Sequence, residues 1–141
     1  DELLVEKVQP KLVLSSIYLT ENEWVKFGKY CILVGDLQSH QPALKKSKAV
    51  YYFNSENINK TLLVRTFKQG DRIHLPGMEQ AKRVSRIFID EKIPVDDRHL
   101  MPIIATEDEI IAVESIRHSK KVSKSKRPFD NCVIIIKDDS L

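Results

Sequence analysis

The sequence predicts an α+β fold: a β-rich, layered architecture with one main helix. Two observations carry this. Short runs of β-branched and aromatic residues recur along the chain, among them "KYCILVG" at 29–35, "AVYYF" at 49–53 and "CVIIIK" at 132–137, which is the composition of strands. Only one stretch changes to a helical period. There Ala81, Val84, Ile87, Phe88 and Glu91 fall at i, i+3, i+6, i+7 and i+10, an apolar stripe that fades at its end. Strands dominate, so an antiparallel or mixed sheet is the natural arrangement.

In chain order, "KLVLSSIYL" at 11–19 predicts the first strand and 29–35 the second, with a polar connection between them. Trp24 and Phe27 in that connection read as core or strand-edge residues. Residues 36–48, polar and containing a proline, read as a loop or linker, which divides the chain into a β-rich N-terminal segment with its linker (1–48) and a second unit (49–141). After the short strand at 49–53, Asn54 is placed to cap a single helical turn. "TLLVRTF" at 61–67 predicts a strand that runs into "KQGDR", where Gly70 can take a positive φ. "LPG" at 75–77 is a second break. The helix is expected over 79–92, stopped by Pro94. "PVDDRHLMP" allows one short turn with Asp96 and Asp97 at its start. "IIAT" and "EIIAVESI" form a hairpin across the acidic turn Glu107–Asp108, and a basic segment then leads to the last strand. No internal repeat is visible.

A chain of 141 residues fits one domain, or a compact domain with an added subdomain, and can bury a core without staples. It is 42% hydrophobic and 30% charged, the composition of a globular chain and not a disordered one. No stretch reaches the length of a membrane span and no signal peptide is visible. A chain opening on Asp1 and not Met reads as a processed form or a piece of something longer. Cys31 and Cys132 lie far apart in apolar runs and read as buried thiols of a reducing compartment. Their separation leaves a disulfide open and offers no zinc spacing.

Self-contained chemistry is missing from the sequence. Gly28, Gly35, Gly70 and Gly77 form no phosphate loop and no dinucleotide fingerprint. His40, His74, His99 and His118 have no metal-ligand spacing among themselves or with the cysteines. Ser15, Ser16 and Ser85 lack the context of an activated nucleophile. No catalytic residue, no metal ligand and no cofactor site are therefore assigned.

What remains is basic charge. The net charge is only +3, too small by itself to imply nucleic acid. Its distribution says more: "RHSKKVSKSKR" at 117–127, which includes Lys120 and Lys121, contains no acid. Lys82, Arg83 and Arg86 lie near the start of the expected helix, with Lys82 and Arg86 on one face. Arg65 and Arg72 flank the preceding turn and Arg98 follows the helix. Cations at a helix N-terminus oppose its dipole, and an anion bound there would reverse the sign. The plain alternative is a solvated face with ion pairs to Glu79, Asp90 and Glu91. The segment 117–127 has its own alternative, a mobile loop without a partner. Because no aromatic residue interleaves with its cations, backbone contact with folded or duplex RNA fits better than base stacking.

The ordered set "YYFNSENI … LLVRTFKQGDRIHLPGMEQAKRVSRIFIDEKIPVDDRHLMPII … EIIAVESIR" resembles the C-terminal region of the tRNA(Ile)-lysidine synthetase family. Arg65, Gly70, Asp71, Arg72, Gly77, Met78, Lys82, Arg83, Val84, Phe88, Ile89, Asp90, Pro94, Arg98 and Pro102 fall on that pattern in order, over about half of the chain. Gln80, Ser115 and the turn "TEDE" depart from it, at places where the family commonly has glycine or Asp-Gly.

The resemblance implies a module of the kind also seen in the β subunit of phenylalanyl-tRNA synthetase. It further implies a cytoplasmic enzyme that uses ATP, with Mg, to adenylate C2 of the wobble cytidine of tRNA(Ile) with a CAU anticodon, after which lysine displaces AMP. The family's "SGGxDS" loop is not in this sequence, so the chain is expected to be a non-catalytic portion, inactive alone. Its partners would be tRNA(Ile), through the acceptor stem, and its own N-terminal catalytic domain; a homodimer is one arrangement the sequence allows. RNA-contacting residues on this reading are Lys82, Arg83 and Arg86, supported by Arg65, Arg72 and Arg98 and by Lys120 and Lys121. Arg72 and Asp71 serve nearly as well as structural ties between turn and helix. The competing reading is a protein-interaction or scaffold domain that touches RNA little.

Overall fold

The computed structural model describes residues 16–139. Two antiparallel sheets stack face to face, with a helical element on each outer face. One sheet has the order β2–β3–β11–β4, formed by Val25–Phe27, Tyr30–Asp36, Cys132–Asp138 and Ala49–Phe53. The other has the order β1–β5–β8–β9–β10, formed by Ile17–Tyr18, Leu63–Arg65, Ile103–Ala105, Ile110–Val113 and Arg117–His118. A two-stranded ribbon, β6 (Arg72–Ile73) with β7 (Lys82–Arg83), leads directly into helix α1 (Val84–Asp90). The short helix α2 (Val95–Arg98) follows.

Strand β11 shows why this sequence builds layers. Ile134 and Ile136 face the second sheet and pack with Tyr51, Val64, Ile104 and Ile111. Val133 and Ile135 face the other way and pack with Leu33 and Leu37. Alternate residues of a strand point to opposite faces, so an unbroken apolar run marks a strand buried on both. The second sheet is treated likewise: Ile103, Ala105, Ile110 and Val113 are covered by Val84, Ile87 and Phe88 of α1 together with Ile73.

Residues 36–48 fold differently from the expected loop. Gln38–Lys46 is a 3₁₀ helix, kinked at His40 and containing Pro42. Its Ala43 and Leu44 cover the outer face of β3 and β11, and that burial is what orders a polar segment. The boundary anticipated after residue 48 runs through a sheet: β3, from before it, pairs along seven residues with β11, from after it. Asn54 nucleates no helical turn. Its side chain accepts from the Glu56 N–H at 2.8 Å and its carbonyl from Asn57 at 2.9 Å, closing a tight turn instead. Of the strand expected over 11–19, residues 11–15 lie outside the described residues, and Ile17–Tyr18 pair with β5.

The main helix is shorter than its periodicity suggested. Lys82 and Arg83 are extended, opposite Ile73 and Arg72, and the Val84 N–H bonds the Asp71 carbonyl at 2.9 Å. Sheet partners thus take the backbone donors that a helical turn would have left unsatisfied. Pro94 is not what ends α1. Lys92 adopts φ 57°, its N–H bonds the Ile89 carbonyl at 3.1 Å, and the Ile93 N–H bonds the Phe88 carbonyl at 2.9 Å. This is a Schellman motif, and Pro94 instead opens α2. The hairpin β8–β9 forms as expected across the acidic turn, with a register shift between Ile104 and Ala105. Gly70 and Gly77 take φ values of 92° and 78°, the left-handed region that the two breaks required.

A buried polar clamp joins the sheets. Glu114, only 2% exposed, accepts the Tyr30 hydroxyl at 2.9 Å and pairs with Lys48 at 3.2 Å. Its backbone carbonyl accepts the Tyr51 hydroxyl. Burial pushes the Glu114 carboxyl up, but hydrogen bonds from Ser115, Tyr30 and Lys48 outweigh that and hold it below its ordinary value. Cys31 and Cys132 are both half-buried and lie at opposite ends of the β3–β11 ladder, opposite Lys137 and Asp36 respectively. Five rungs at about 3.4 Å each put them far beyond disulfide reach. No helix among the described residues is long and apolar enough to cross a membrane.

Candidate nucleic-acid interface

The structure regroups the basic residues that the sequence singled out. Lys82 and Arg86 converge on one carboxylate: Lys82 Nζ lies 2.8 Å from Asp90 Oδ2 and Arg86 Nε lies 3.2 Å from Asp90 Oδ1. The Lys82 hydrogen bond, reinforced by the charges of Lys82, Arg86 and Arg117, holds the Asp90 carboxyl below its ordinary value. These two cations therefore begin with an acidic partner. Helix α1 has seven residues and no side-chain cap, so it provides no N-terminal anion site of the kind its charge pattern suggested.

Arg83 goes elsewhere. Alternation along the ribbon places Ile73 and Lys82 on its inner face and Arg72 and Arg83 on its outer face. The two arginines are direct cross-strand partners, both are exposed, and neither has an acidic partner within 4 Å among the described residues. Like charges placed opposite each other repel, so the pairing itself costs stability.

Arg65 and Arg98 face inward. Arg65 makes a two-pronged pair with Asp71 at 2.9 and 3.1 Å, both side chains largely buried. The Asp71 carboxylate also accepts the Lys68 N–H at 2.8 Å. Of the tie between turn and helix anticipated for Arg72 and Asp71, Asp71 makes it, through its carbonyl to the Val84 N–H, while Arg65 rather than Arg72 fixes the "KQGD" turn that aims β6. Arg98 Nε donates to the Ile93 carbonyl at 2.8 Å, and its guanidinium lies 6.0 Å from the centre of the Phe88 ring. It clamps the junction of α1 and α2.

The segment 117–127 is tied down along its length. Val122 and Ser119 are buried, Ser123 bridges to Tyr52, and the Lys120 N–H bonds the His74 carbonyl at 3.0 Å, docking the segment beside the ribbon. Three of its cations have acids: Arg117 with Glu91, Lys121 with Glu109, and Arg127 with Asp130. Lys120, Lys124 and Lys126 are exposed, and none has an acid within 4 Å among the described residues. A shallow groove between ribbon and segment is lined by Met78, Lys82, Arg117, His118 and Lys124.

Of the cations in the ribbon and in segment 117–127, those exposed and without an acid within 4 Å among the described residues are therefore Arg72, Arg83, Lys120, Lys124 and Lys126. Sequence reasoning named the first three individually. It missed Lys124 and Lys126, whose signal was only their place in an acid-poor run. It also left Asp90 as one of three candidate partners, although the i, i+4 spacing from Arg86 pointed to it. No group of histidine, cysteine and acidic residues able to hold a metal occurs among the described residues.

Comparison with known proteins places this geometry in context. Residues 62–129 match the family model described as the TilS substrate C-terminal domain. A tRNA(Ile)-lysidine synthase of Caldanaerobacter subterraneus subsp. tengcongensis is 33% identical over 129 residues, 92% of this chain and 27% of the relative. Those of Bacillus subtilis and Staphylococcus aureus are 39% identical over 72 residues and 34% identical over 125 residues. They cover 50% and 77% of this chain, and 15% and 28% of the relatives. The fold matches a crystal structure of a TilS C-terminal domain with a TM-score of 0.70 at 22% identity, over 88% of this chain and 98% of that one. The chain spans about a quarter of the length of the Caldanaerobacter subterraneus relative.

Proposed function

From the premise that the chain belongs to the tRNA(Ile)-lysidine synthase family, as its TilS C-terminal domain, we propose that it is the tRNA-recognising portion of such an enzyme and binds the acceptor stem through phosphate contacts. The observation that carries this reading is the exposed cross-strand pair Arg72–Arg83, with no acidic partner within 4 Å among the described residues. An A-form stem presents phosphates and 2′-hydroxyls more accessibly than base edges, and two guanidinium groups side by side suit that target. Lys120 and Lys124 extend the contact. Lys82 and Arg86 contribute by exchanging Asp90 for phosphate, while Arg65 and Arg98 hold the ribbon and the helix junction in place.

On this proposal the remainder of the enzyme binds ATP with Mg and carries out adenylation of the wobble cytidine and displacement of AMP by lysine. The isolated chain forms no lysidine. Its contribution is to seat the cytoplasmic tRNA so that the anticodon reaches the catalytic domain.

The test is the salt dependence of binding between this chain and a tRNA(Ile) transcript. Phosphate contacts release counterions, so affinity should fall steeply with salt, and replacing both Arg72 and Arg83 with glutamine should reduce the log–log slope by about 2. A scaffold role has one observation behind it, the apolar side chains of Ile89 and Val95, 53% and 70% exposed near the α1–α2 junction. Docking through that surface would give a nearly flat salt response, and such a response with no effect of the arginine variants would overturn the RNA reading.

A further inference from the structure

Phe129 is the most exposed large hydrophobic side chain among the described residues, at 83%. Single exposed apolar residues are ordinary on protein surfaces. What distinguishes this one is the rigidity of its support. The Phe129 carbonyl accepts the Asn54 side-chain amide. On its C-terminal side, buried Asp130 accepts from the Arg127 N–H at 2.8 Å and from Arg127 Nε at 2.9 Å. The Asp130 N–H returns to the Arg127 carbonyl at 3.0 Å, and the Asn131 N–H bonds the Phe53 carbonyl at 3.1 Å. Arg127 also reaches the carbonyls of Tyr52 and Lys121. The ring is thus held out in water by a backbone with little freedom of its own.

Its immediate neighbourhood is polar, and lysines lie elsewhere in the same connection. A hollow beside the ring is lined by Asn54, Glu56, Asn57, Arg127 and Pro128. Lys124 and Lys126, in the same connection, are exposed and have no acid within 4 Å among the described residues. A protein-binding hot spot surrounds its aromatic anchor with further contacts that exclude water, and only Pro128 could begin such a ring here. The components match a different ligand: a flat π face, a side-chain amide and a carboxylate able to meet a base edge, and lysines for the flanking phosphates.

From this arrangement we infer that Phe129 is a stacking platform for one unpaired nucleobase next to an RNA stem, with Asn57 and Glu56 at the base edge, Asn54 holding the platform, and Lys124 and Lys126 on its phosphates. The inference deepens the RNA reading of the previous subsection and rests on it. It adds a contact to single-stranded RNA that the basic face alone would not supply, because a continuous duplex keeps its base faces covered.

The experiment compares binding of this chain to two RNA hairpins with the same stem, one blunt and one carrying a short unpaired 3′ tail. Wild type should prefer the tailed hairpin. Phe129→Ala should weaken tailed binding about 5- to 150-fold, the range for loss of one stacked base, and leave blunt binding unchanged. Phe129→Trp should keep the preference, and its fluorescence should be quenched by the tailed RNA only. Phe129→Leu should behave like the alanine variant. Equal tailed and blunt affinities with intact, salt-sensitive blunt binding would overturn the platform alone. So would full affinity in Phe129→Leu, which would indicate a merely apolar contact. Absence of binding to either hairpin would overturn the platform together with the RNA reading.

Discussion

Arg72 and Arg83 face each other across the two-stranded ribbon, each exposed and each without an acid within 4 Å among the described residues. In a protein selected only for stability, directly opposed like charges would be an odd choice, since they weaken the ladder. The expected signature of a binding role is therefore a trade-off. Arg83→Gln should raise folding stability by about 0.2–1 kcal/mol while lowering affinity for the tRNA. Urea unfolding and an anisotropy titration on the same preparation measure both. A variant that lost stability and kept its affinity would make the pair structural.

Arg65 and Asp71 should behave in the opposite way. Their pair is largely buried, so removing one partner strands the other charge in a low-dielectric site. Arg65→Ala should cost about 3 kcal/mol of stability, seen as a lower urea midpoint with an unchanged slope. Combining it with Asp71→Asn should cost much less than the sum of the single losses. Additive losses would show that the two residues stabilise the turn independently.

The Glu114 clamp predicts how stability depends on pH. The native carboxyl sits below its ordinary value of 4.5 because hydrogen bonds from Ser115, Tyr30 and Lys48 outweigh burial. The unfolded chain then binds the proton first, so this contribution is complete above about pH 4.5 and is lost as pH falls through the depressed native value. Tyr30 acts at the other end. Burial, followed by the charge and hydrogen bond of Glu114, raises its hydroxyl above the ordinary 10.0, so its contribution is lost as pH rises beyond 10. Glu114→Gln should lower stability at neutral pH and flatten the acid limb of a thermal-melting profile. An acid limb unchanged by the substitution would place the titrating group elsewhere.

Lys92 holds the left-handed position of the Schellman motif with φ 57°, where a side chain is disfavoured. Lys92→Gly relieves that strain at some entropic cost to the unfolded chain. The expected net effect is a gain of about 0.5 kcal/mol in unfolding experiments, with RNA affinity unchanged.

Much of this fold was legible because the relevant signals are local. The runs of β-branched and aromatic residues at 29–35, 49–53 and 132–137 became β3, β4 and β11 almost residue for residue. Gly70 and Gly77 stood out because their turns need a positive φ. The helix boundary was not legible. Ala81 continues the apolar period of α1, but Arg72 and Ile73 compete for the same backbone as strand partners, and their pairing depends on where the intervening turn returns the chain. The order in Gln38–Lys46 was hidden for a similar reason. Its polar composition says loop, and only the apolar face of β3 and β11 beneath Ala43 and Leu44 makes it a helix.

For the candidate interface the division is sharper. Sequence by itself determined which residue types are present, that basic charge gathers around 82–86 and 117–127, and that no phosphate loop or metal-spaced cluster accompanies it. It also carried the ordered motif set that marks the family. Which cations face outward was decided only by tertiary structure. Charge is a property of a side chain, but availability depends on whether an acid lies within about 4 Å, and those acids arrive from anywhere in the chain. Asp71 claims Arg65, Asp90 claims Lys82 and Arg86, and Glu91 claims Arg117. Arg72 and Arg83 are left together because one antiparallel register, set by two turns and a buried Ile73, puts residues eleven positions apart side by side.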